Sequence, residues 1–152
     1  MSNFDSLRGT IEHINSVRQK IYFVISDLLD RTIKHDVSKT ETPEKEIYDK
    51  YTPMLRGLEY GSKKYYDILK EMKVGIDHHY SLNRHHPEFF VDGIDGMNLI
   101  DLLEMICDWK AAGERHEKSN IIKSIEINAE RFNMSPQLKQ ILQNTASYLE
   151  WI

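Results

Sequence analysis

Residues 77–90 read Asp-His-His-Tyr-Ser-Leu-Asn-Arg-His-His-Pro-Glu-Phe-Phe. The stretch holds four of the chain's seven histidines, namely His78, His79, His85 and His86. Histidines seven residues apart return to nearly the same direction on an α-helix, which predicts two aligned pairs about 100° apart on one face. Pro87 limits this helix, because the residue before a proline is pushed out of the helical region. His86 is therefore expected at the helix end or just past it.

Four imidazoles on one face predict a metal site, since neutral imidazole is the commonest metal ligand among side chains. A solvated surface pair is the alternative reading for either pair taken alone. Two pairs in register favour the metal, because several protonated and unpaired histidines side by side would cost stability. The pattern leaves open which of the four are ligands, and we take His79 and His86 as the candidates.

Length and composition predict one globular domain over residues 1–152, enough chain to bury a real core. The net charge of −4, without a long basic run, gives no support to a nucleic-acid surface. The single cysteine, Cys107, excludes an internal disulfide and fits a reducing cytoplasm. Neither a signal peptide nor an apolar run of the ~20 residues that a membrane helix needs is found, so we expect no membrane partner.

Apolar residues recur at steps of three and four along most of the chain, which is typical of amphipathic helices. The first such pattern covers residues 6–33, and later ones cover residues 97–115 and 119–132. Ser135-Pro136 reads as the cap and first residue of a last helix. No strand-like alternation of any length is present. The sequence therefore predicts an all-α fold, a single compact multi-helix domain.

Three carboxylates interrupt the apolar segment 97–115, and their spacing of three and four places them on one helix face: Asp101, Glu104 and Asp108. Buried carboxylates are rarely tolerated unless they are paired or coordinate a metal. The face therefore either points to solvent or contributes to the metal site. We take Asp108 as the candidate ligand.

His35 and Asp36 are an adjacent imidazole and carboxylate at the end of the first helix, where the backbone can turn both toward one ion. With the histidine face and Asp108 they form a mixed nitrogen and oxygen set. That set suits one or two divalent iron, manganese, zinc, nickel or cobalt ions and disfavours calcium. Two metals clamp both oxygens of a phosphoryl transfer, and a metal-bound water becomes a nucleophile at neutral pH. Lys39 would then steady the phosphate.

The sequence His35-Asp36-Val37-Ser38-Lys39 resembles the His-Asp-hydrophobic-small-Lys signature of the HD-domain metal-dependent phosphohydrolases, an all-helical superfamily. Its ligand order is an early histidine, the His-Asp pair, further histidines when the site is binuclear, and a late aspartate. The resemblance implies this metal set: His13, His35, Asp36, His79, His86 and Asp108. Residues 78–90 and Asp-Trp-Lys-Ala-Ala (residues 108–112) are also similar to a small uncharacterised bacterial and phage family, over most of the chain.

His13 fits this set only under one condition. His13 and His35 are 22 residues apart, which is about 33 Å on one unbroken helix. They could share a metal only if the chain turned back near Ser26-Asp27, where no strong helix breaker stands. The alternative is a histidine packed on the first helix.

The residues and the resemblance together predict a metal-dependent phosphohydrolase acting on a nucleotide or another small phosphoester. Lys39 would be catalytic and bind the phosphate, Glu104 is a candidate for general acid–base catalysis, and Asn83 and Arg84 are candidates for substrate binding. The alternatives are a non-catalytic, metal-stabilised regulatory or partner-binding module and a metal-dependent oxygenase. An open coordination position would separate a catalytic site from a structural one. Whether the chain forms a homo-oligomer is left open.

Overall fold

A computed structural model describes residues 5–56, 58, 62–114 and 120–152. Every regular element in these ranges is helical, which confirms the all-α prediction. The backbone contacts divide the chain into two units, Met1–His35 and Asp36–Ile152, and each is considered by itself. The single domain expected from the length stays a prediction. None of the described helices combines the length and apolar character needed to cross a membrane.

The first unit consists mainly of one long helix, α1, over Leu7–Lys34. The bounds agree within a residue with those that the apolar periodicity predicts. Basic side chains in its last turn, Arg31 and Lys34, lie where the negative end of the helix dipole favours cations. No residue of α1 is buried, and its apolar side chains are largely exposed.

The second unit contains six α-helices in the described ranges: α2 (Glu44–Leu55), α3 (Lys63–Glu71), α4 (Lys73–Leu82), α5 (Leu99–Gly113), α6 (Ile121–Arg131) and α7 (Pro136–Tyr148). Three short 3₁₀ turns lie between them: Val37–Thr40, Pro87–Phe89 and Gly93–Gly96. The cap predicted at Ser135 is confirmed, since its side chain accepts a hydrogen bond from the Leu138 amide and Pro136 opens α7.

The hydrophobic core of this unit lies among α5, α6 and α7. Its buried members come from all three helices and the loops beside them: Ile94, Leu102, Met105, Ile106, Ile121, Ile125, Met134, Leu142 and Ala146. Trp109 stacks on Phe132 at the edge of this core, with ring centroids 6.5 Å apart. The apolar face predicted for α5 is thus confirmed as a core face, and it fixes where the acidic face of that helix can point.

α2 and α4 approach each other closely at Gly75. A Cβ atom added to Gly75 would lie 3.0 Å from Cγ2 of Ile47 on α2, tighter than ordinary packing allows. The glycine therefore permits a close helix contact that a larger residue would push apart. The contact brings the N-terminal end of α2 alongside the C-terminal half of α4, where the histidines begin.

A buried ion pair joins the segment after α4 to the start of α5. Arg84 donates two hydrogen bonds to Asp101, with Nε–Oδ1 and Nη2–Oδ2 distances of 3.0 and 2.9 Å. Asp101 is fully buried and also forms the capping box of α5 with Asn98. Its carboxylate therefore has charged and neutral partners together, as a buried charge requires. This pair fixes the backbone immediately before His85.

We predict that Arg84→Ala lowers the free energy of unfolding by about 2 kcal/mol, because it leaves the Asp101 charge buried without its cation. The Arg84 side chain is 43% exposed, so water replaces part of the lost interaction. The measurement is urea unfolding monitored by circular dichroism. Arg8→Ala is the matched control, since it removes an exposed pair with Glu12 and should change stability by less than about 0.5 kcal/mol. Equal effects of the two substitutions would contradict the prediction.

Candidate metal centre

Four side chains of the second unit converge on one point, and we call them the ligand cluster: Asp36, His79, His85 and His86. Each offers one ligand atom, and the four atoms lie within 4.8 Å of one another. His79 and His85 are buried, while Asp36 and His86 are partly accessible. The histidine-rich stretch and the Asp36 turn, far apart in sequence, thus meet at a single site.

The distances inside the ligand cluster match those around a metal ion. The Nε2 atoms of His79 and His86 are 2.9 Å apart, and Oδ1 of Asp36 lies 3.2 Å from Nε2 of His79. Nε2 of His85 lies 3.4 Å from the same Asp36 oxygen. Ligands held about 2.0–2.2 Å from a tetrahedral ion are separated from one another by about 3.3 Å. The four atoms therefore fit around one ion with small adjustments.

The partners of the Nδ1 atoms of His79 and His85 determine which nitrogen of each ring faces the centre of the cluster. Nδ1 of His79 lies 2.9 Å from Oε2 of Glu44, and Nδ1 of His85 lies 3.2 Å from Oε1 of Glu104. A carboxylate partner places the ring proton on Nδ1, which leaves the lone pair of Nε2 for the centre. Histidine ligands are typically oriented by such carboxylates. The arrangement is therefore compatible with a bound metal ion whose histidine ligands are oriented by the two glutamates.

Glu44 is the most deeply buried of these supporting groups, with none of its surface exposed. It accepts hydrogen bonds from Nδ1 of His78 at 2.8 Å, from Nδ1 of His79 and from Oγ of Ser38 at 3.0 Å. It is also the first residue of α2, where the helix dipole favours a negative charge. One carboxylate thus holds two histidines and the Asp36 turn in place.

α4 ends at Leu82, so the predicted helical register over the two histidine pairs is wrong in detail. Asn83 has an extended backbone, and its side chain donates to the His79 carbonyl and to Oγ of Ser38 at 2.8 and 2.9 Å. The chain turns here and brings His85 and His86 back toward His79. His78 points instead to Glu44. The expected proximity of His79 and His86 is found, although a turn produces it and not a helix face.

Asp36 begins the 3₁₀ turn with a left-handed backbone, φ 57°, which aspartate tolerates better than most residues. The turn places Lys39 against it, and Nζ of Lys39 donates to Oδ2 of Asp36. Burial acts to raise the pKa of Asp36, but the nearby His79, His85 and Lys39 outweigh it and hold that pKa well below its usual range. Asp36 is therefore an anion at neutral pH, as a metal ligand must be.

His86 is held in its neutral form. Burial, together with the charges of His85 and His79 when protonated, lowers the pKa of His86 to about 3. Its ring is therefore unprotonated at neutral pH and its nitrogens can bind a metal. Asp108 acts in the opposite direction on the same pKa, which places this carboxylate near the ligand cluster.

Asp108 lies on α5, half-buried, with a carboxylate oxygen within 4.8 Å of one of Asp36. The two aspartates predicted from sequence are thus close together in the second unit. Asp101 does not join them, because it pairs with Arg84. The three carboxylates of α5 therefore have separate tasks, with Glu104 behind His85, Asp108 beside Asp36 and Asp101 at the helix cap.

The two histidines of the first unit do not come together. α1 has no break, so His13 and His35 remain about 33 Å apart along one helix axis. The turn near Ser26-Asp27 that a shared ion would need is absent. His13 is exposed on α1, so the structure gives no support to its prediction as a metal ligand. His35 caps the end of α1 and directly precedes Asp36, and its role as a ligand stays a prediction.

Three residues predicted to be catalytic or substrate-binding have partners within the protein. Asn83 is buried and shapes the turn after α4, and Arg84 binds Asp101. Glu104 faces His85 and is 14% exposed, which favours an orienting role over general acid–base catalysis. Lys39 alone of this set lines an open pocket. The sequence analysis did not select His85 as a ligand. It also did not predict that Glu44 orients His79, because a single glutamate in the first turn of a helix gives no signal for such a role.

The pocket beside Lys39 has a volume of about 470 Å³. Three members of the ligand cluster line this pocket, namely Asp36, His79 and His86. The remaining lining residues come from the 3₁₀ turn, α2, α3 and α4, with Tyr48 and Tyr80 among them. A ligand in this pocket could therefore reach an ion held by the cluster.

We predict that Glu44→Gln weakens metal binding about 10- to 100-fold, because the amide cannot stabilise the Nδ1 protons of His78 and His79 as a carboxylate does. Zinc and manganese affinities of the purified protein, measured by competition with a chromogenic chelator, provide the readout. Glu46→Gln, an exposed position on the same helix, is the matched control and should keep the wild-type affinity. Equal affinities in all three proteins would remove Glu44 from the site.

The chain was compared with known protein families. The model of a family of unknown function (DUF5662) matches residues 2–148. Searches of curated proteins and of solved structures found no match. The matched range includes the whole ligand cluster and the residues behind it. Since the match covers nearly the full length, the chain belongs to this family of unknown function.

Proposed function

We propose that the protein is a metal-dependent phosphohydrolase that acts on a nucleotide or another small phosphoester. The observation that carries the proposal is the ligand cluster itself, three imidazole nitrogens and a carboxylate oxygen beside an open pocket that Lys39 lines. The resemblance of residues 35–39 to the HD-type signature supports the same reaction. The single cysteine fits a cytoplasmic location for it.

A divalent ion bound in the cluster would act as a Lewis acid on a phosphoryl oxygen and lower the pKa of a coordinated water. His79, His85, His86 and Asp36 would hold this ion. Glu44 and Glu104 keep His79 and His85 in the tautomer that directs Nε2 at the centre. The protein's own contribution is thus a fixed geometry with the correct protonation states.

Lys39 is suited to bind the phosphate. Its ammonium group donates to Asp36 and lies 5.8 Å from the centroid of the Tyr48 ring, at the wall of the pocket. A lysine ammonium is a compact point charge with three donors, which fits a phosphoryl oxygen. In this position it would neutralise charge on the phosphate without acting as a metal ligand. In this proposal Lys39 has a catalytic role, and Asp36 binds both the metal ion and the Lys39 ammonium group.

The mixed nitrogen and oxygen ligands suit iron, manganese, zinc, nickel or cobalt. The cluster accounts for one ion, and Asp108, whose carboxylate lies near that of Asp36, would contribute to a second. An octahedral ion bound by four protein atoms keeps two open positions for water and substrate. Phosphoryl transfer requires such an opening.

A metal-stabilised module without catalysis is the second candidate. The number of ligands favours it if the bound ion is a tetrahedral zinc. Four protein ligands are enough to close a tetrahedral zinc site, and closed sites are structural. The adjoining pocket favours the enzyme, since three of the four ligands line it. Spectroscopy of the cobalt-substituted protein separates the two, because a closed site has four-coordinate spectra and does not respond to added phosphate.

We predict that Lys39→Ala lowers kcat/KM for phosphoester hydrolysis about 10- to 100-fold while metal content stays at the wild-type level. The physical reason is the loss of one cation opposite the phosphate. The measurement compares turnover of a phosphoester panel with each metal, alongside elemental analysis of the same samples.

Lys45→Ala provides the control for the loss of a lysine as such, because Lys45 is exposed on α2 and pairs with Asp49. This variant should retain wild-type kcat/KM. Loss of metal in Lys39→Ala would show that this lysine is structural. Absence of turnover by the wild type, with any of the metals and any phosphoester, would reject the phosphohydrolase and leave the metal-stabilised module.

A further inference from the structure

The pocket has two chemically different ends. Its polar lining includes ligand-cluster residues and Lys39, whereas its apolar lining comes from α2, α3 and α4: Leu55, Leu69, Met72 and Ile76. Apart from Thr52, the other lining residues are the amphipathic rings of Tyr48 and Tyr80. Such a division predicts a ligand with one charged and one apolar part.

The helices explain how the two ends are separated. Met72, Ile76 and His79 follow one another at steps of four and three, so they form one stripe along α4 that leads from apolar residues to the cluster. The distance from Met72 to His79 along the helix axis is about 10 Å.

α2 supplies the opposite wall and runs the other way. Its first residue, Glu44, binds His78 and His79, while Ile47 packs at Gly75. The pocket residues of α2 therefore lead away from the cluster, from Tyr48 to Leu55. Both walls thus place the apolar side chains at the end farthest from the ligand cluster.

The charges that line the pocket match one phosphate group. Among the described lining residues, Lys39 is the one permanently charged cation and Asp36 the one carboxylate. With a divalent ion in the cluster these charges sum to about +2, which balances the two negative charges of a phosphomonoester near neutral pH. A triphosphate would bring further negative charges that these residues do not meet.

We propose that the substrate is a phosphomonoester of an alcohol that carries a ring-sized apolar or aromatic group, with the phosphate at the ligand cluster and the apolar group against Leu69, Met72 and Ile76. The inference rests on the proposed phosphohydrolase function and narrows its substrate class. Hydrolysis breaks the bond between phosphorus and the alcohol oxygen and forms one to the oxygen of water. A proton of that water goes to the alcohol, and inorganic phosphate is the second product.

Two tyrosines beside the polar end of the pocket fit this orientation, since Lys39 lies 5.8 Å from the Tyr48 ring and the rings of Tyr80 and His86 are 4.7 Å apart. Both side chains carry a phenol, which is protonated at neutral pH. Each presents a ring for stacking, and the Tyr48 hydroxyl can donate to an ester or phosphate oxygen. The volume of about 470 Å³ is in the range of ordinary small-molecule pockets and accommodates one ring system beside the phosphate.

Binding of two inert analogues tests the inference without turnover. Phenylphosphonate and methylphosphonate present the same anion on a carbon–phosphorus bond that hydrolysis does not cleave, and they differ in apolar size. By isothermal titration calorimetry with the manganese-loaded protein, phenylphosphonate should bind at least about tenfold more tightly, because its ring leaves water for the apolar end. Equal affinities would overturn the inference.

Substitutions in the apolar end locate the effect. Leu69→Asn should reduce the preference for phenylphosphonate to about twofold or less and leave methylphosphonate affinity unchanged, because the phosphate end is intact. Val74→Asn, at a 67% exposed position of α4 outside the pocket lining, is the matched control. Thr52→Leu adds apolar surface to an exposed lining position and should increase the preference, a gain that misfolding cannot imitate. An unchanged preference in both pocket variants would contradict the assignment of this wall.

Failure of the inference and failure of the proposed function give different results. Hydrolysis of phenyl phosphate together with equal binding of the two phosphonates would overturn the substrate class and keep the phosphohydrolase. A phenylphosphonate preference that Leu69→Asn abolishes, in a protein that hydrolyses no phosphomonoester, would support the pocket's ligand class and reject the catalytic function.

Discussion

Three imidazole nitrogens and one carboxylate oxygen point at a common centre, and this convergence of lone pairs is the constraint on which the second unit depends. Atoms that all accept hydrogen bonds repel one another unless a proton or a cation lies between them. The Nε2 atoms of His79 and His86, only 2.9 Å apart, show how close the approach is. A divalent cation satisfies all four groups at once. The surrounding fold is consistent with a cation at the centre, because the carboxylates of Glu44 and Glu104 contact the outward Nδ1 atoms of His79 and His85.

The surrounding structure holds these lone pairs in place through buried and hydrogen-bonded groups. Glu44 binds two histidines and Ser38, and Gly75 allows α2 close enough to α4 for those bonds to form. On the other side, the pair of Arg84 with Asp101 fixes the backbone just before His85. The same helices that support the cluster also form the walls of the pocket. Metal binding and ligand binding would therefore share one scaffold.

The sequence predicted the helical class, the approximate bounds of α1, α5 and α6 and several members of the site, because periodicity and residue type are local signals. Asp36, His79 and His86 belong to the cluster as expected, and Asp108 lies close to it. The sequence did not show that α4 ends at Leu82, since Asn83 is a weak local signal whose role depends on its bonds to Ser38 and His79. Glu44 was missed for the same reason, as its function arises from a contact 34 residues distant in the chain. His13 was predicted to be a ligand only from the ligand order of the HD-type superfamily. The continuous helix α1 keeps it too far from His35 for the two to share an ion.

X-ray absorption spectroscopy of the zinc-loaded protein tests the central claim most directly, since it counts the atoms around the ion. We expect one ion in the ligand cluster of each chain, with three imidazole nitrogens at about 2.0–2.1 Å and a carboxylate oxygen at a similar distance. His85→Ala should lose one imidazole from that count, although sequence alone did not select this residue. A site with fewer than two imidazoles, or zinc bound at well below one ion per chain, would contradict the account.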